Sequence, residues 1–357
     1  MLNNHRYVRV VASSYRLDLS GDKPERAPEK ANRMNDPGIT EPAAPQAIEF
    51  AHAKRLEANI ASVVLGRPRA IRLTLVALLA GEHVLLEDVP GVGKTLIGKA
   101  LARSLSGKFC RIQFTPDLLP GDITGSTMYR QTDGEFEFLP GPVFANIVLA
   151  DEINRTTPRT QSALLEAMSD CQVSIDSETH PLPRPFMVIA TQNPFEFEGT
   201  YPLPESQLDR FLLRISVGYP SREQELQVIE DHRTGNPLQE VSAVLDGQQL
   251  LSLQAAVREV QVSAVLREYL LDLVEATRKS EELYVGASTR GTLCLYRAAQ
   301  ALAVLEGRSY VVPDDIQTLV VPVLAHRVIT KGYMHGGHRQ ETEDVLAQIS
   351  AKVPVPG

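Results

Sequence analysis

Short apolar runs alternate with helical patterns through the middle of the chain. Each run is followed by polar residues and then by a segment with helical periodicity. The five runs cover residues 83–88, 109–115, 146–151, 186–192 and 211–217. Because strands that alternate with helices form parallel sheets with crossover helices, this pattern predicts an α/β core with a five-stranded parallel sheet and helices on both faces. In such sheets, ligands bind at the carboxyl ends of the strands.

Two further segments predict β-hairpins that project from this core. The first covers residues 128–139, where the pair Asp133-Gly134 favours a tight hairpin turn. In the second, a strand at residues 172–175 precedes a polar turn at residues 176–179, after which the chain extends again. Both hairpins interrupt the alternation of strands and helices without adding to the central sheet.

Helical patterns dominate the chain after this core and directly before its first strand. After Pro220 six helices are expected, at residues 222–232, 247–257, 264–279, 289–305, 313–325 and 341–349. Two more are expected before the first strand, from residue 47 to about residue 64 and at residues 68–79. We therefore predict an α/β core domain at residues 46–220 and an all-helical domain, of the kind that forms a lid, at residues 221–357. Residues 1–45, rich in proline and charge, are predicted to be a disordered leader.

Composition excludes several classes of function. The net charge of −8 argues against a broad surface for polyanions, so no nucleic-acid partner is expected. The three cysteines lack C-x-x-C spacing, which indicates neither a disulfide framework nor a zinc site and favours a cytoplasmic location. The apolar runs are short and interrupted, so we expect no membrane insertion, and the N-terminus has no secretory signal pattern.

The octapeptide that links the first strand to the next helix has the pattern of a phosphate-binding loop. Gly91 and Gly93 allow the backbone to turn its N–H groups inward, and a helix then begins with its positive end at the same place. Lys94 would contact the β- and γ-phosphates of a nucleotide, and the Thr95 hydroxyl would bind Mg2+. Asp88 stands where the general pattern has its first glycine, so a plain surface turn is the alternative for this stretch alone.

Two other strands end in polar residues that suit a nucleotide hydrolase. Asp151 and Glu152 follow an apolar strand, and they would respectively bind Mg2+ and activate the attacking water. Asn193 follows the next strand and could position that water through its amide. The alternative for Asn193 is a turn residue before Pro194, a pairing that favours turns.

Two arginines are further candidates. Arg210 opens the fifth strand, where it would form either a structural ion pair or an arginine finger directed at the nucleotide of a neighbouring subunit. Arg290 lies at the expected start of a lid helix, where it would contact the nucleotide or remain a solvated residue. The sequence leaves both pairs of alternatives open.

Taken together, these residues closely resemble the MoxR family of AAA+ ATPases. The resemblance rests on LLEDVPGVGKT (85–95), RIQFTPDLLPGDITG (111–125), GPVFANIVLADEINR (141–155), TQSALLEAM (160–168), ATQNP (190–194), EGTYPLPESQLDRF (198–211), GASTR (286–290) and the late pair His326-Arg327. It runs from about residue 48 to residue 356. The motifs FTPDLLPGDITG and LPESQLDRF are specific to this family.

The resemblance implies roles for these residues. It implies an insert at residues 116–145, a hairpin at residues 172–185 and a ring, usually hexameric, that holds ATP and Mg2+ between subunits. The implied nucleotide-binding residues are Leu65, Gly66, Pro90, Gly91, Val92, Gly93, Lys94, Thr95 and Leu96. The implied Mg2+ ligands are Thr95 and Asp151, and the implied catalytic residues are Glu152, Asn193 as the first sensor, Arg210 as the trans-acting finger and Arg290 as the lid sensor.

The resemblance also implies a type of partner. Members of the family are thought to act as chaperone-like remodellers of proteins with a von Willebrand factor A domain. Two alternatives stay open, namely a nucleotide-gated assembly scaffold with little turnover and the motor subunit of a metal chelatase. The Asp151-Glu152 pair favours the hydrolysing motor over the scaffold, because a scaffold does not need a carboxylate that activates water.

Overall fold

A five-stranded parallel β-sheet forms the centre of the fold, as the strand pattern predicts. The computed structural model describes residues 44–356 apart from 90, 133, 177, 195–198, 235–236 and 333–338. The predicted leader lies outside the described residues up to residue 43, and its last two residues belong to the first helix. Residues Pro42–Gly357 form one compact unit, and the proposed domain boundary at residue 220 stays a prediction.

The helices include the eight that were predicted with bounds, which agree to within about three residues at each end, and two short ones that were not predicted, Pro120–Thr124 and Glu205–Leu208. They are α1 (Ala44–Ala61), α2 (Pro68–Ala80), α3 (Lys94–Ser104), α4 (Pro120–Thr124), α5 (Pro158–Asp170), α6 (Glu205–Leu208), α7 (Arg222–Thr234), α8 (Gly247–Arg258), α9 (Ala264–Lys279), α10 (Thr289–Leu305), α11 (Pro313–Leu324) and α12 (Arg339–Lys352). Short 3-10 helices cover Ile153–Arg155 and Pro237–Glu240. None of the helices in this described part of the chain is long and apolar enough to cross a membrane.

The strands form the central sheet and three small two-stranded sheets. They are β1 (Val84–Glu87), β2 (Phe109–Gln113), β3 (Gly125–Arg130), β4 (Glu135–Pro140), β5 (Ile147–Asp151), β6 (Gln172–Ile175), β7 (Glu178–Pro181), β8 (Met187–Gln192), β9 (Leu213–Ile215), β10 (Leu283–Val285) and β11 (Ile329–Thr330). The central sheet has the order β2-β5-β8-β1-β9, and all its pairings are parallel. This order places the ends of β1 and β5 on either side of β8.

Side chains of the central strands alternate between two apolar cores. In β1, Val84 and Leu86 pack into one core and Leu85 packs into the other. The first core also contains buried side chains of α1, α2 and α3 and of the C-terminal helices α8 to α12, whereas the second contains those of α5 and the β6–β7 hairpin. The strands are apolar on both faces because helices cover the sheet on both sides. The C-terminal helices therefore share a core with the sheet.

Both predicted hairpins are present, with small differences. Strands β3 and β4 pair antiparallel, with Arg130 opposite Glu135. Strands β6 and β7 also pair antiparallel, and β7 begins at Glu178, so Glu178 and Thr179 belong to the strand and the prediction that they lie in the turn is wrong. The pair β10–β11 was not predicted, because strands of two or three residues are too short to show alternation.

Candidate functional site

The loop predicted to bind phosphate connects β1 to α3, as the sequence analysis expects. Gly91 and Gly93 have φ angles of +86° and +100°, which residues other than glycine rarely adopt. Gly93 is the N-cap of α3, and no side chain caps the helix. The Leu96 N–H donates to the Gly93 oxygen at 3.0 Å, and the N–H groups before it, at a helix start that no side chain caps, suit an anion. Pro90, the other predicted loop residue, lies outside the described residues.

Lys94 is buried at the base of this loop. Its Nζ donates to the backbone oxygen of Asp88 at 2.5 Å and to that of Gln192 at 3.0 Å. Burial lowers the pKa of Lys94, and the nearby carboxylates of Asp88, Asp151 and Glu152 oppose that shift. The lysine thus lies between the ends of β1 and β8, where its charge faces the carboxylates at the end of β5.

The carboxylate of Asp151 is held by side chains from three other elements. Its Oδ2 accepts from Thr95 Oγ1 at 3.3 Å and from the Arg111 guanidinium at 2.6 and 3.1 Å. Its Oδ1 accepts from the Thr191 hydroxyl at 2.5 Å. The hydroxyl of Thr95 and the carboxylate of Asp151 therefore converge from opposite sides of the loop, as two ligands of one cation would.

Glu152 has an unusual backbone conformation. Its φ of 61° and ψ of 49° lie in the left-handed region, which costs a residue other than glycine of order 1–3 kcal/mol. The backbone N–H of Glu152 donates to the Thr191 hydroxyl at 2.9 Å. Its Oε2 accepts from Gln113 at 2.8 Å and lies 3.2 Å from Arg155 Nε. These contacts fix a strained acidic residue beside Asp151, an arrangement found where a backbone is held for function.

The predicted loop and strand-end residues line one cleft at the carboxyl edge of the sheet. The cleft has a volume of about 490 Å3. The predicted residues that line it are Gly91, Gly93, Lys94, Thr95, Leu96, Asp151, Glu152 and Asn193. Asn154 Nδ2 also donates to the backbone oxygen of Asn193 at 3.3 Å. The structure thus brings together residues that are about 100 positions apart in the sequence.

An apolar cavity of about 600 Å3 adjoins this cleft. Leu65, Val92 and Leu96 are among its lining residues, and the two cavities share Gly91, Gly93 and Leu96. Gly66 does not line the cavity, but its φ is +71° and a Cβ there would lie 2.2 Å from Cδ of Gln224. A polar cleft that continues into an apolar cavity suits a ligand with a phosphate end and a flat apolar end.

The donor set of the cleft fits Mg2+ rather than a metal held by protein ligands alone. Among the described residues no group of three or more His, Cys, Asp or Glu side chains is placed to hold a metal ion. Thr95 and Asp151 supply one hydroxyl and one carboxylate. Mg2+ is typically bound by one or two protein ligands with water and substrate phosphates completing its shell, so the predicted pair is compatible with it.

The two predicted arginines lie at the opposite, amino edge of the sheet. The Arg210 guanidinium donates to the backbone oxygen of Leu165 at 2.8 Å and to the Ser169 hydroxyl. Arg290 pairs with Asp209, with Nε 3.5 Å from Oδ2. Both arginines line one cavity of about 220 Å3, and neither is among the described residues that line the phosphate cleft. The four residues of β1 separate the two edges by about 13 Å at 3.3 Å per residue.

Arg327 connects the amino edge of the sheet to the helical region through hydrogen bonds and an ion pair. Its side chain is only 2% exposed, and its Nε lies 2.7 Å from Oδ1 of Asp209. The same guanidinium donates to the backbone oxygens of Phe211 at 2.6 Å and Leu212 at 3.1 Å. Asp209 is therefore shared between Arg327 and the exposed Arg290. The pair His326-Arg327, which forms part of the family resemblance, therefore lies at the amino edge of the sheet and away from the phosphate cleft.

Three residues of the cleft that contact Asp151 or Glu152 were missed by the sequence analysis. Arg111 and Gln113 lie two positions apart at the end of β2 and contact Asp151 and Glu152, while Thr191 on β8 contacts both. Polar residues two positions apart near the end of a strand lie on the same face, and that spacing was the available signal. For Thr191 the available signal was only its position in β8, two residues before Asn193.

The comparisons with known proteins agree with this geometry. A model of the ATPase family associated with various cellular activities (AAA) matches residues 83–213, and a model of the AAA lid domain matches residues 275–349. The chain is 48% identical to YeaC, an uncharacterized protein of Bacillus subtilis, over 84% of this chain and 93% of YeaC. It is 46% identical to Chaperone MoxR1 of Mycobacterium tuberculosis, over 76% of this chain and 74% of MoxR1.

A solved structure agrees as well. A crystal structure from Cytophaga hutchinsonii, of a protein provisionally called an ATPase, superposes with a TM-score of 0.80 at 38% identity. The match covers 88% of this chain and 97% of that protein. The sheet order, the phosphate loop, the two matching family models and the similarity to MoxR1 all agree with the predicted resemblance. The chain belongs to the MoxR family of AAA+ ATPases.

Proposed function

We propose that this protein is an ATP-hydrolysing ring motor that remodels or activates a partner protein. The observation that carries the proposal is the arrangement across the cleft. Thr95 Oγ1 lies 3.3 Å from Asp151 Oδ2, and Glu152 follows Asp151 in a strained conformation fixed by Thr191 and Gln113. Nucleotide binding alone does not require the second carboxylate, whereas hydrolysis does.

In this proposal each part of the cleft holds one part of ATP. The N–H groups of the loop and the Lys94 ammonium bind the phosphates, and Leu65 with Leu96 covers the adenine in the apolar cavity. Thr95 and Asp151 would hold Mg2+, which when bound neutralises charge on the phosphates. Arg111 contacts Asp151 Oδ2 and would share the Asp151 carboxylate with a bound cation.

Glu152 and Asn193 would act on the attacking water. Glu152 accepts the water's proton as general base, and the Asn193 amide orients the water by hydrogen bonding. Thr191 positions both carboxylates, because its hydroxyl accepts from the Glu152 N–H and donates to Asp151. These are the roles that the sequence analysis predicts for Glu152 and Asn193 at the ends of their strands.

Assembly into a ring, by family usually hexameric, would place Arg210 and Arg290 at the nucleotide of the next subunit. Both lie at the amino edge, about 13 Å of β1 away from the phosphate loop of their own chain. Among the described residues Arg210 has no carboxylate partner, so its charge is available to a phosphate. This favours a trans-acting finger over a structural ion pair.

The β3–β4 hairpin is the proposed contact with the partner protein, for which a von Willebrand factor A domain protein is the family-based candidate. Its Met128, Tyr129, Phe136 and Leu139 side chains are large, apolar and 40–74% exposed. Exposed apolar side chains grouped on one projecting element typically mark a protein-binding surface. The hairpin also contacts the β6–β7 hairpin, where Phe138 stacks on His180 at 3.9 Å between ring centroids.

Phosphate release by the wild type and by Glu152→Gln tests the proposal. The substitution keeps the size of the side chain and removes the base, so we expect turnover to fall about 10²–10⁴-fold. ATP affinity, measured by calorimetry, should change by less than about threefold. If the wild type were as inactive as the variant at every protein concentration, the protein would be a nucleotide-gated scaffold instead.

A further inference from the structure

Asp88 is the residue by which the phosphate loop departs from the general pattern, and it contacts the segment that leads into the helical region. Its Oδ2 accepts from Ser216 Oγ at 2.8 Å and from the Gly218 N–H at 2.6 Å. Its Oδ1 accepts from the Val89 N–H at 2.8 Å. Residues 216–220, called the linker below, connect the end of β9 to the start of α7. A glycine at position 88 would offer none of these acceptors.

The same residue contacts the phosphate-binding lysine through its backbone. The Asp88 carbonyl oxygen accepts from Lys94 Nζ at 2.5 Å. A lysine ammonium has three donor hydrogens, and two of them are directed at Asp88 and Gln192. Phosphate oxygens that bind Lys94 would approach the same ammonium, so its contacts with both Asp88 and Gln192 would respond to phosphate.

The Asp88 carboxylate is charged when it makes these contacts. Burial acts to raise its pKa, but hydrogen bonds from Gly218, Ser216 and Val89, with the charge of Lys94, outweigh burial and lower the pKa. Hydrogen bonds to an ionised acceptor are stronger than those between neutral groups. The linker is therefore held to the loop by charge-assisted bonds.

The linker also lines the apolar cavity next to the loop. Tyr219 and Pro220 are lining residues of that cavity, together with Val228 of α7. Gly218 has a φ of +73°, so the chain turns where it receives the Asp88 contact. A displacement of Asp88 would therefore act on the linker at Ser216 and Gly218, next to the cavity-lining Tyr219.

We propose that Asp88 is a positioning residue that transmits phosphate occupancy of the loop to the linker and so to the helical region. The proposal rests on the proposed function, because it requires that the loop binds phosphate. It differs from a purely structural role in one respect. A structural tie would stabilise the linker equally with and without phosphate, whereas a transmitting residue makes the linker respond to phosphate.

A fluorescence titration separates the two roles. The chain contains no tryptophan, so Tyr219→Trp places a single indole on the linker. The probe is magnesium tripolyphosphate, which has no base and therefore does not fill the apolar cavity where Trp would report on adenine directly. Calorimetry on the same full-length protein measures tripolyphosphate binding independently of the indole.

We expect tripolyphosphate to shift the indole emission of the Tyr219→Trp protein with the same midpoint as its calorimetric binding. Adding Asp88→Gly should reduce that shift by about fivefold or more, with binding still detected by calorimetry. Adding Ser216→Ala, which removes one of the two donors to Oδ2, should reduce it to an intermediate value, and this variant decides the matter if Asp88→Gly does not fold. Lys94→Ala should abolish both signals.

Two results overturn the inference. One is a full emission shift in the Asp88→Gly or Ser216→Ala background. The other is calorimetric binding of tripolyphosphate with no emission shift while Asp88 is intact. A different result, no tripolyphosphate binding and no ATP hydrolysis by the wild type, would refute the proposed function itself and is distinguished by the calorimetric and phosphate-release data.

Discussion

The two edges of the central sheet differ in how their functional side chains are held. At the carboxyl edge, Lys94, Thr95, Asp151 and Glu152 line one cleft, and Thr95 contacts Asp151 within the chain. At the amino edge, Arg210 contacts only neutral groups among the described residues, and Arg290 is half exposed beside Asp209. In the proposed function, the first edge supplies most of one nucleotide site. The second edge supplies cations to a site on another chain.

The largest expected effect distinguishes the two edges, because a change at the amino edge should lower turnover and a change at the carboxyl edge should weaken ATP binding. Arg210→Ala should lower kcat for ATP about 10³-fold, because a finger neutralises charge in the transition state, while the dissociation constant for ATP changes little. Lys94→Ala, at the other edge, should weaken ATP binding about 100-fold, since it removes a charged hydrogen-bond donor. Phosphate release and calorimetry measure the two quantities.

Arg297→Ala is the matched control for the arginine finger. Arg297 lines the same cavity as Arg210 but pairs with Glu82, with NH1 2.7 Å from Oε1. Its removal should change kcat by less than about twofold, as is usual for surface substitutions. If Arg210→Ala weakened ATP binding as strongly as Lys94→Ala, the separation of the two edges would be wrong.

A smaller effect concerns how the amino edge is fixed. Arg327→Met removes one partner of a buried ion pair and leaves the Asp209 carboxylate and four backbone oxygens without that donor. We expect the free energy of unfolding, measured with urea, to fall by about 3 kcal/mol. Arg297→Met should lower it by less than about 1 kcal/mol, since the Arg297 side chain is 55% exposed. Equal losses for the two variants would contradict a fastening role for Arg327.

The carboxyl edge was more predictable from sequence than the amino edge, for a physical reason. Apolar strands that end in Asp151-Glu152 or in Asn193 place those residues at one edge whatever the details of packing. The position of Arg290 depends instead on how α10 packs against the sheet, which no local pattern specifies. The contact of Asp88 with Ser216 and Gly218 likewise joins residues about 130 positions apart.

The start of a helix was also predictable where the sequence contains a typical N-cap residue. Helix α10 begins at Thr289 as predicted because the Ser288 hydroxyl accepts from the Gly291 N–H at 3.3 Å. The short pair β10–β11 and the strained backbone of Glu152 had no sequence signal. The first is stabilised by tertiary packing, and the second by hydrogen bonds from strands that are distant in sequence.

The smallest expected effect is on the pH dependence of stability. Burial, with the charges of Arg327 and Arg214, lowers the pKa of His326 well below its ordinary value. The stability that comes from neutral His326 is therefore present above pH 6.5 or so and is lost as the pH falls from there toward the folded-state pKa. Between pH 7.5 and 5.5 the wild type should lose about 1 kcal/mol more than His326→Asn. Equal losses in urea unfolding would contradict a buried neutral histidine at this edge.

The most direct test of the account mixes two inactive variants. Arg210→Ala retains the cleft and Glu152→Gln retains the finger, so a ring that contains both has interfaces with an intact cleft facing an intact Arg210. Random assembly at equal amounts gives about one quarter of such interfaces, and we predict recovery of about that fraction of wild-type phosphate release. If the two variants assemble together, as shown by size-exclusion chromatography, and the mixture stays as inactive as each variant alone, Arg210 does not act on a neighbouring subunit.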